Sequence, residues 1–217
     1  MSTVTTQTTT KHPAFAETDA RAWARWGGGL IAAGGALLLA ATMVEVGLRT
    51  EPTGPALPLF AVLFLASAAI LAASMLPLAL GTMAANGITG NRVRGTFALL
   101  GFGAVFFANQ LVYYVMTYGT PGGADAALGW LPLTLGIVQL VLLTVGAVGA
   151  VRAGIATGAA RWALLALAAV VAVTGGIASA SDDVATVTIA LVSSCVAQIV
   201  VGVVFLAARP ATSGGTV

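Results

Sequence analysis

The chain has almost none of the side chains that carry redox, metal or covalent chemistry. Its 217 residues include one cysteine, one histidine and one lysine, namely Cys195, His12 and Lys11. A lone cysteine excludes an intramolecular disulfide and a paired-cysteine metal site. A lone histidine excludes bis-histidine haem, histidine-ligated copper and facial-triad iron, and a lysine at position 11 excludes a retinal-type Schiff base within an apolar helix. We therefore expect no cofactor and no bound metal.

Charged residues are also scarce, and most of the sequence consists of long apolar runs. Only 7% of the residues are charged and 59% are hydrophobic, whereas soluble domains carry about 25% charged residues. Apolar runs of about 18 residues or more indicate transmembrane helices. Six such runs cover roughly residues 27–49, 57–81, 95–118, 127–151, 162–180 and 185–207. The predicted fold class is all-α, a polytopic membrane bundle of six transmembrane helices.

The domain organisation follows from these runs. Residues 27–207 form one transmembrane domain, and residues 208–217 form a short C-terminal tail. Residues 1–26 form a polar N-terminal tail, whose Thr-rich start we predict to be disordered because it has nothing to bury. The first apolar run of about 23 residues exceeds the 7–15 residues of a signal-peptide core, so no signal peptide is expected.

Lysine and arginine are distributed unevenly between the segments that join the spans. With the N-terminus in the cytoplasm, eight of the nine basic residues are cytoplasmic and one, Arg49, is outside. The eight are Lys11, Arg21, Arg25, Arg92, Arg94, Arg152, Arg161 and Arg209. Because cytoplasmic loops carry an excess of Lys and Arg, we predict a multi-pass protein of the plasma (inner) membrane with both termini cytoplasmic. This asymmetry, rather than nucleic-acid binding, explains the excess of basic residues.

Polar side chains inside the spans are the candidate site residues, because an unpaired polar group is costly in the membrane. They are Asn109, Gln110, Tyr113, Tyr114, Gln139, Gln198 and Glu45. Asn109, Gln139 and Gln198 lie near mid-depth in three different spans. These groups either form interhelical hydrogen bonds, each worth roughly 0.6–2 kcal/mol, or line a path for a ligand or a proton.

More specific expectations concern single residues of this set. Gln110 shares a helical face with Tyr113, Tyr114 and Thr117, and we expect it to bond Gln139 or Gln198. Glu45 lies about one turn from the outer end of the first span. We expect its carboxylate to reach toward the headgroups, with Arg49 as an i,i+4 partner. Tyr118 is expected to be a simple interface aromatic.

No catalytic residue is expected. A hydrolase needs an activated nucleophile with a neighbouring base. Ser193, Ser194 and Cys195 lie within the sixth span, and no histidine, lysine or mid-depth carboxylate is near them in the sequence.

Four segments between residues 27 and 150 resemble, in order and spacing, the cytochrome oxidase subunit III superfamily. They are "AGGALLLAATMVEVGLRTE", "LPLFAVLFLASAAILAA", "GITGNRVRG" and "FFANQLVYYV". The family's first-helix carboxylate would fall near Gly34 or Gly35, and its third-helix carboxylate near Tyr113. Its later histidines have no counterpart here, and the sixth span is additional. The resemblance therefore implies an accessory scaffold role without the proton-antenna roles of those carboxylates.

Two functions fit these observations. The first is a non-catalytic accessory or scaffold subunit of a larger membrane complex, such as a respiratory one, with the lipid bilayer and a membrane-protein partner or a second copy around it. The alternative is a transporter or binding protein for a small molecule or lipid that uses the mid-membrane polar residues. Proton-coupled transporters carry an acid or a histidine within the membrane. Only Glu45, placed at the periphery, is available for that role.

Overall fold

A computed structural model describes residues 13–48, 56–81, 87–90, 92–119 and 129–208, with side chains from residue 22 onward. The chain is all-helical there. The helices are α1 (Pro13–Leu48), α2 (Leu57–Leu80), α3 (Val93–Tyr114), α4 (Trp130–Ala153), α5 (Ala159–Ala180) and α6 (Val184–Ala207). A π-helical turn, Val115–Gly119, continues α3. All six helices are long and apolar enough to cross a membrane, which confirms the predicted fold class.

The first helix begins earlier than the apolar run does. Its membrane-crossing part is Ala22–Leu48, but the helix itself starts at Pro13 rather than near residue 27. Proline is tolerated in a first helical turn, where its missing N–H has no intrahelical role. The alanines, glutamate and arginines that follow favour helix, so the helix extends into the polar segment. Residues 1–12 and 209–217, the ends of the two predicted tails, lie outside the described residues.

The helices are arranged around the bundle in chain order. Each helix packs against the next one along the chain, and α6 also packs against α1. The packing of α1 against α2 and α6 is the most extensive, and that of α4 against α5 is the least. Helix α1 therefore has the most extensive packing in the bundle.

Glycines on α1 set this close packing. A Cβ on Gly34 would lie 2.6 Å from Leu71 of α2, and one on Gly28 would lie 2.7 Å from the Gly202 carbonyl oxygen of α6. Real Cβ atoms do not approach so closely, so a side chain at either position would force the neighbouring helix or its side chains to shift. Small residues of this kind let helix backbones approach in membrane proteins.

The N-terminal half of α4 and the C-terminal half of α5 are open by contrast. Every buried residue of α4 lies at or after Leu143, and every buried residue of α5 lies at or before Ala168. A Cβ added at Gly136, Gly175 or Gly176 would meet nothing within 4 Å. The helices therefore contain closely packed glycines and open ones, and only the closely packed glycines bring two helix backbones together.

Candidate functional site

Glu45 belongs to the buried stripe of α1. Leu38, Ala41, Glu45 and Leu48 are spaced three or four residues apart, and all four are buried. This spacing keeps side chains on one face of a helix, so the carboxylate points into the bundle. It is 5% exposed, which differs from the headgroup position expected from the sequence. The expected partner Arg49 lies outside the described residues.

Two tyrosines at the end of α3 donate hydrogen bonds to the same oxygen of this carboxylate. The Tyr113 hydroxyl donates to Glu45 Oε1 in a short hydrogen bond. The Tyr118 hydroxyl donates to the same atom at 3.2 Å. Hydrogen bonds to an ionised acceptor are about twice as strong as neutral ones. The two phenols therefore hold the carboxylate in one orientation and link α1 to α3.

The π-helical turn positions the second tyrosine. At 3.6 residues per turn, residues five apart on an α-helix point about 140° away from one another. An i→i+5 turn brings such residues back to one side. Because Tyr118 lies within the turn Val115–Gly119, it faces Glu45 together with Tyr113. Tyr118 is thus a site residue rather than the interface aromatic that we expected.

Aromatic rings enclose the hydrogen bonds. We define the aromatic cluster as Phe60, Phe64, Tyr113, Tyr114 and Tyr118. Phe60 of α2 stacks on Phe64 with ring centroids 5.2 Å apart, and it lies 5.0 Å from the Tyr118 ring. Phe64 lies 5.8 Å from the Tyr113 ring, and Tyr114 packs on Tyr118 at 5.9 Å. In this apolar surrounding an electrostatic contact is stronger than it would be in water.

The two adjacent tyrosines of α3 have different roles. Tyr113 donates to Glu45, whereas Tyr114 packs against Phe60 and Tyr118. No hydrogen bond joins Tyr114 to Glu45 in the part of the chain that the structure describes. Only one of the adjacent tyrosines is therefore in polar contact with the carboxylate.

The mid-depth amides do not form one network. The side-chain carbonyl oxygens of Asn109, Gln139 and Gln198 are buried without a hydrogen-bond partner among the described residues. Gln198 lies on α6 against Gly35, and α6 packs against α1 and α5, away from the α3–α4 pair that carries Asn109 and Gln139. Burying an unpaired polar group costs about 1–3 kcal/mol, so these amides are not explained by packing alone.

The expected bond of Gln110 is not formed. Within the described ranges, no hydrogen bond joins Gln110 to Gln139 or Gln198, and both of those amide oxygens are unpaired. Gln110 is only half-buried. The polar centre near the end of α3 is therefore formed by Tyr113 and Tyr118 with Glu45, and Gln110 does not contribute to it.

The chemistry of this site is that of a single buried carboxylate. Glu45 is the only carboxylate within the six candidate spans. Among the described residues, no group of three histidine, cysteine or carboxylate side chains could hold a metal ion. A carboxylate with two phenolic donors can bind a proton or a small cation.

Comparisons with known proteins add no relative. No protein-family model, no curated protein and no solved structure matches the chain.

Proposed function

We propose that this integral membrane protein binds a small cation, the proton included, at Glu45 and transports it. The carrying observation is a carboxylate that is 5% exposed inside a membrane-spanning helix and accepts two tyrosine hydroxyls. Ionisable residues within the membrane mark substrate, ion or proton pathways by default, because burying their charge is costly. Burial also removes the objection that Glu45 is peripheral.

The tyrosines fit such an exchange of charge. While Glu45 is ionised, both hydroxyls donate to it. Once a proton has bound, the carboxylic acid becomes a donor, and a tyrosine hydroxyl oxygen can accept from it. The pair Tyr113 and Tyr118 can therefore satisfy the carboxyl group in both states without any movement of α1.

Asn109 extends the polar positions toward the middle of the membrane. It lies four residues before Tyr113 on α3, one turn further from the outer end. Its carbonyl oxygen is buried and has no hydrogen-bond partner among the described residues. We propose that this oxygen accepts the cation on its way to or from Glu45.

The first experiment tests whether the Glu45 carboxyl group binds a proton in an apolar environment. A hydrophobic carbodiimide modifies protonated carboxyl groups inside membranes. We expect one adduct on the wild-type protein by intact mass spectrometry, and none on Glu45→Gln. An adduct that persists in Glu45→Gln would place the reactive carboxyl elsewhere and remove this support.

The second experiment measures flux in proteoliposomes with a pH-sensitive dye and with monovalent cations in turn. Glu45→Gln should abolish the flux. Tyr113→Phe should reduce it, whereas Tyr114→Phe, the matched control, should leave it unchanged because Tyr114 does not contact the carboxylate. Equal flux in wild type and Glu45→Gln would contradict the proposal.

The orientation and location in the membrane belong to the same proposal. The eight-to-one basic asymmetry supports cytoplasmic termini in the plasma membrane. In a Cys195→Ala background, an Asp182→Cys variant should react with an impermeant maleimide from outside, and Ala159→Cys should not. Both positions are exposed. The reverse labelling would invert the topology.

A second candidate function is favoured by the open N-terminal half of α4 and C-terminal half of α5. Gly136, Gly175 and Gly176 present helix surface with no neighbour within 4 Å. Such surface suits another membrane protein or a second copy, as the accessory-subunit hypothesis and the resemblance to the cytochrome oxidase subunit III superfamily require. Purification from native membranes in mild detergent separates the candidates. Partners in stoichiometric amounts would support the subunit, and the chain alone would support the transporter.

A further inference from the structure

A groove separate from Glu45 lies between the first turn of α3 and the segment of α4 from Thr144 to Arg152. It has a volume of about 580 Å³. Gly95 and Gly149 form its floor, where a Cβ on Gly149 would lie 3.1 Å from the Gly95 Cα atom. Two glycines therefore bring the helix backbones together and leave open space above the contact.

Three arginines line one end of this groove. They are Arg92, Arg94 and Arg152, and all are exposed. Arg92 donates from Nη2 to the Arg152 carbonyl oxygen at 3.3 Å. This hydrogen bond joins the start of α3 to the end of α4. Among the residues with described side chains, no carboxylate pairs with any of the three. A cluster of three unneutralised guanidinium groups attracts an anion.

The helix ends strengthen this preference. The groove contains the N-terminal turn of α3, whose first N–H groups have no intrahelical partner and carry partial positive charge. The C-terminal carbonyls of α4 have the opposite sign, but Arg92 covers one of them. The net field at this end of the groove therefore favours negative charge.

The other walls are apolar and exposed on the surface of the bundle. Val93 is 65% exposed, and Val145 is exposed as well. Val148 completes this wall. A soluble anion would gain nothing from these side chains. An occupant that has both an anionic head and an acyl chain contacts both parts of the groove.

We propose that this groove binds an anionic phospholipid, with the phosphate at Arg92, Arg94 and Arg152 and an acyl chain along Val93, Val145 and Val148. Guanidinium groups bind phosphate oxygens through paired hydrogen bonds, and basic grooves between transmembrane helices bind anionic headgroups. The proposal is independent of the transport function at Glu45.

The test uses the full-length protein purified in detergent and native mass spectrometry with added lipid. The probes are phosphatidylglycerol and phosphatidylcholine with identical acyl chains. We expect the wild type to retain phosphatidylglycerol preferentially. Arg94→Gln should weaken this retention about fivefold, the effect of one basic residue near an anionic surface. Arg94→Lys should restore much of it. Equal retention of the two lipids by the wild type would overturn the proposal.

Two further variants separate the site from general charge. Arg25→Gln removes the same charge from an exposed position on α1 outside the groove, and retention should stay at the wild-type value. Val145→Trp keeps all three arginines but fills the acyl path, and retention should fall. Loss of retention in Arg25→Gln equal to that in Arg94→Gln would show unspecific attraction and contradict the site. A wild-type melting temperature of each variant confirms its fold.

A last arm distinguishes a lipid from a free anion. Inorganic phosphate in millimolar excess should not displace phosphatidylglycerol, because it makes no contact with the valines. Complete displacement by phosphate would assign the groove to a soluble anion and overturn the lipid proposal.

Discussion

The packing around α1 differs from that of the N-terminal half of α4 and the C-terminal half of α5, although all three stretches contain glycine. In α1, Gly28 and Gly34 lie where a Cβ would strike the neighbouring helix. In α5, Gly175 and Gly176 lie where a Cβ would meet nothing. Glycine therefore permits close helix packing in α1, whereas the two glycines of α5 have no neighbouring helix within reach. Composition does not distinguish the two cases, and the position on the helix face does.

The largest expected effect tests this difference directly. Gly28→Leu places a side chain against the Gly202 carbonyl oxygen and Phe205 of α6. Overpacking typically costs about 1–3 kcal/mol and occasionally more, and we expect the upper end because backbone must move. Thermal unfolding in detergent measures it. Gly176→Leu is the matched control and should keep the wild-type melting temperature or raise it, since leucine favours helix over glycine. Equal losses in the two variants would remove the distinction between the regions.

The next effect concerns the hydrogen bonds that join α1 to α3. Glu45→Leu leaves the hydroxyls of Tyr113 and Tyr118 without this acceptor in an apolar place. A hydrogen bond contributes about 0.5–1.5 kcal/mol, so the loss of both bonds should lower the unfolding free energy by about 1–3 kcal/mol. Glu45→Gln retains an acceptor oxygen and should lose less. If Glu45→Leu proves as stable as the wild type, the hydrogen bonds contribute nothing to the fold.

A smaller effect of opposite sign is expected at the unpaired amides. Gln198 is on closely packed α6 and Gln139 is on open α4, and both have a buried oxygen without a partner in the described chain. Replacing such a group with an apolar one of similar size is nearly neutral or stabilising. We expect Gln198→Leu and Gln139→Leu to leave the melting temperature unchanged or raise it. A clear loss in either variant would show that the amide has a bonded partner.

The smallest effect lies at the start of α6, outside the membrane-spanning segment. Asp183 caps this helix by accepting from the Thr186 backbone N–H at 2.9 Å and from its hydroxyl at 2.6 Å. These bonds, the hydroxyl one above all, lower the pKa of Asp183 from its ordinary value of 3.8. The stabilisation is therefore present above the ordinary pKa and is lost as the pH falls through the lowered one. Asp183→Ala should reduce the melting temperature slightly at neutral pH.

The pH dependence and a neighbouring residue control this last prediction. The difference between wild type and Asp183→Ala should disappear in strong acid, where the carboxyl group is protonated in both the folded and the unfolded state. Asp182→Ala should have a smaller effect at neutral pH because Asp182 does not cap the helix. A difference that stays constant across the acid range would exclude the capping bond as its cause.

The sequence predicts the helices well and the site poorly, for physical reasons. A span is a sum over about 20 residues, so the six apolar runs survive local errors. The boundaries of α2 to α6 agree within three residues when the π-helical turn is counted with α3. The start of α1 was not predicted, because hydropathy reports how apolar a segment is and not whether it is helical. The site depends on the direction of single side chains. The distance of Glu45 from the helix end suggested headgroup contact, although its spacing from Leu38, Ala41 and Leu48 places it on the buried stripe.

Tyr118 could not have been found in this way. An α-helical projection separates it from Tyr113, and no signal in the sequence marks the π-helical turn. The bond expected of Gln110 failed for a related reason, because similar depth in the membrane does not imply that two helices are neighbours. Gln198 is at mid-depth, but it lies on α6, whose extensive packing is against α1 and α5 rather than α3.

The π-helical turn Val115–Gly119 also separates two requirements on α3, which are the packing of the helix against its neighbours and the direction of Tyr118 toward Glu45. A π-turn is geometrically an α-helix that carries one additional residue, and its distortion is confined to about one turn. The N-terminal part of α3, with Gly95 and Phe106 buried against its neighbours, keeps its register regardless of that residue. Deleting one residue from the turn would therefore rotate only the C-terminal end, and Tyr118 with it, while the remaining interfaces stay in place. The end of α3 is a point at which the chain can change the surroundings of Glu45 by length alone, without a substitution in any packed helix.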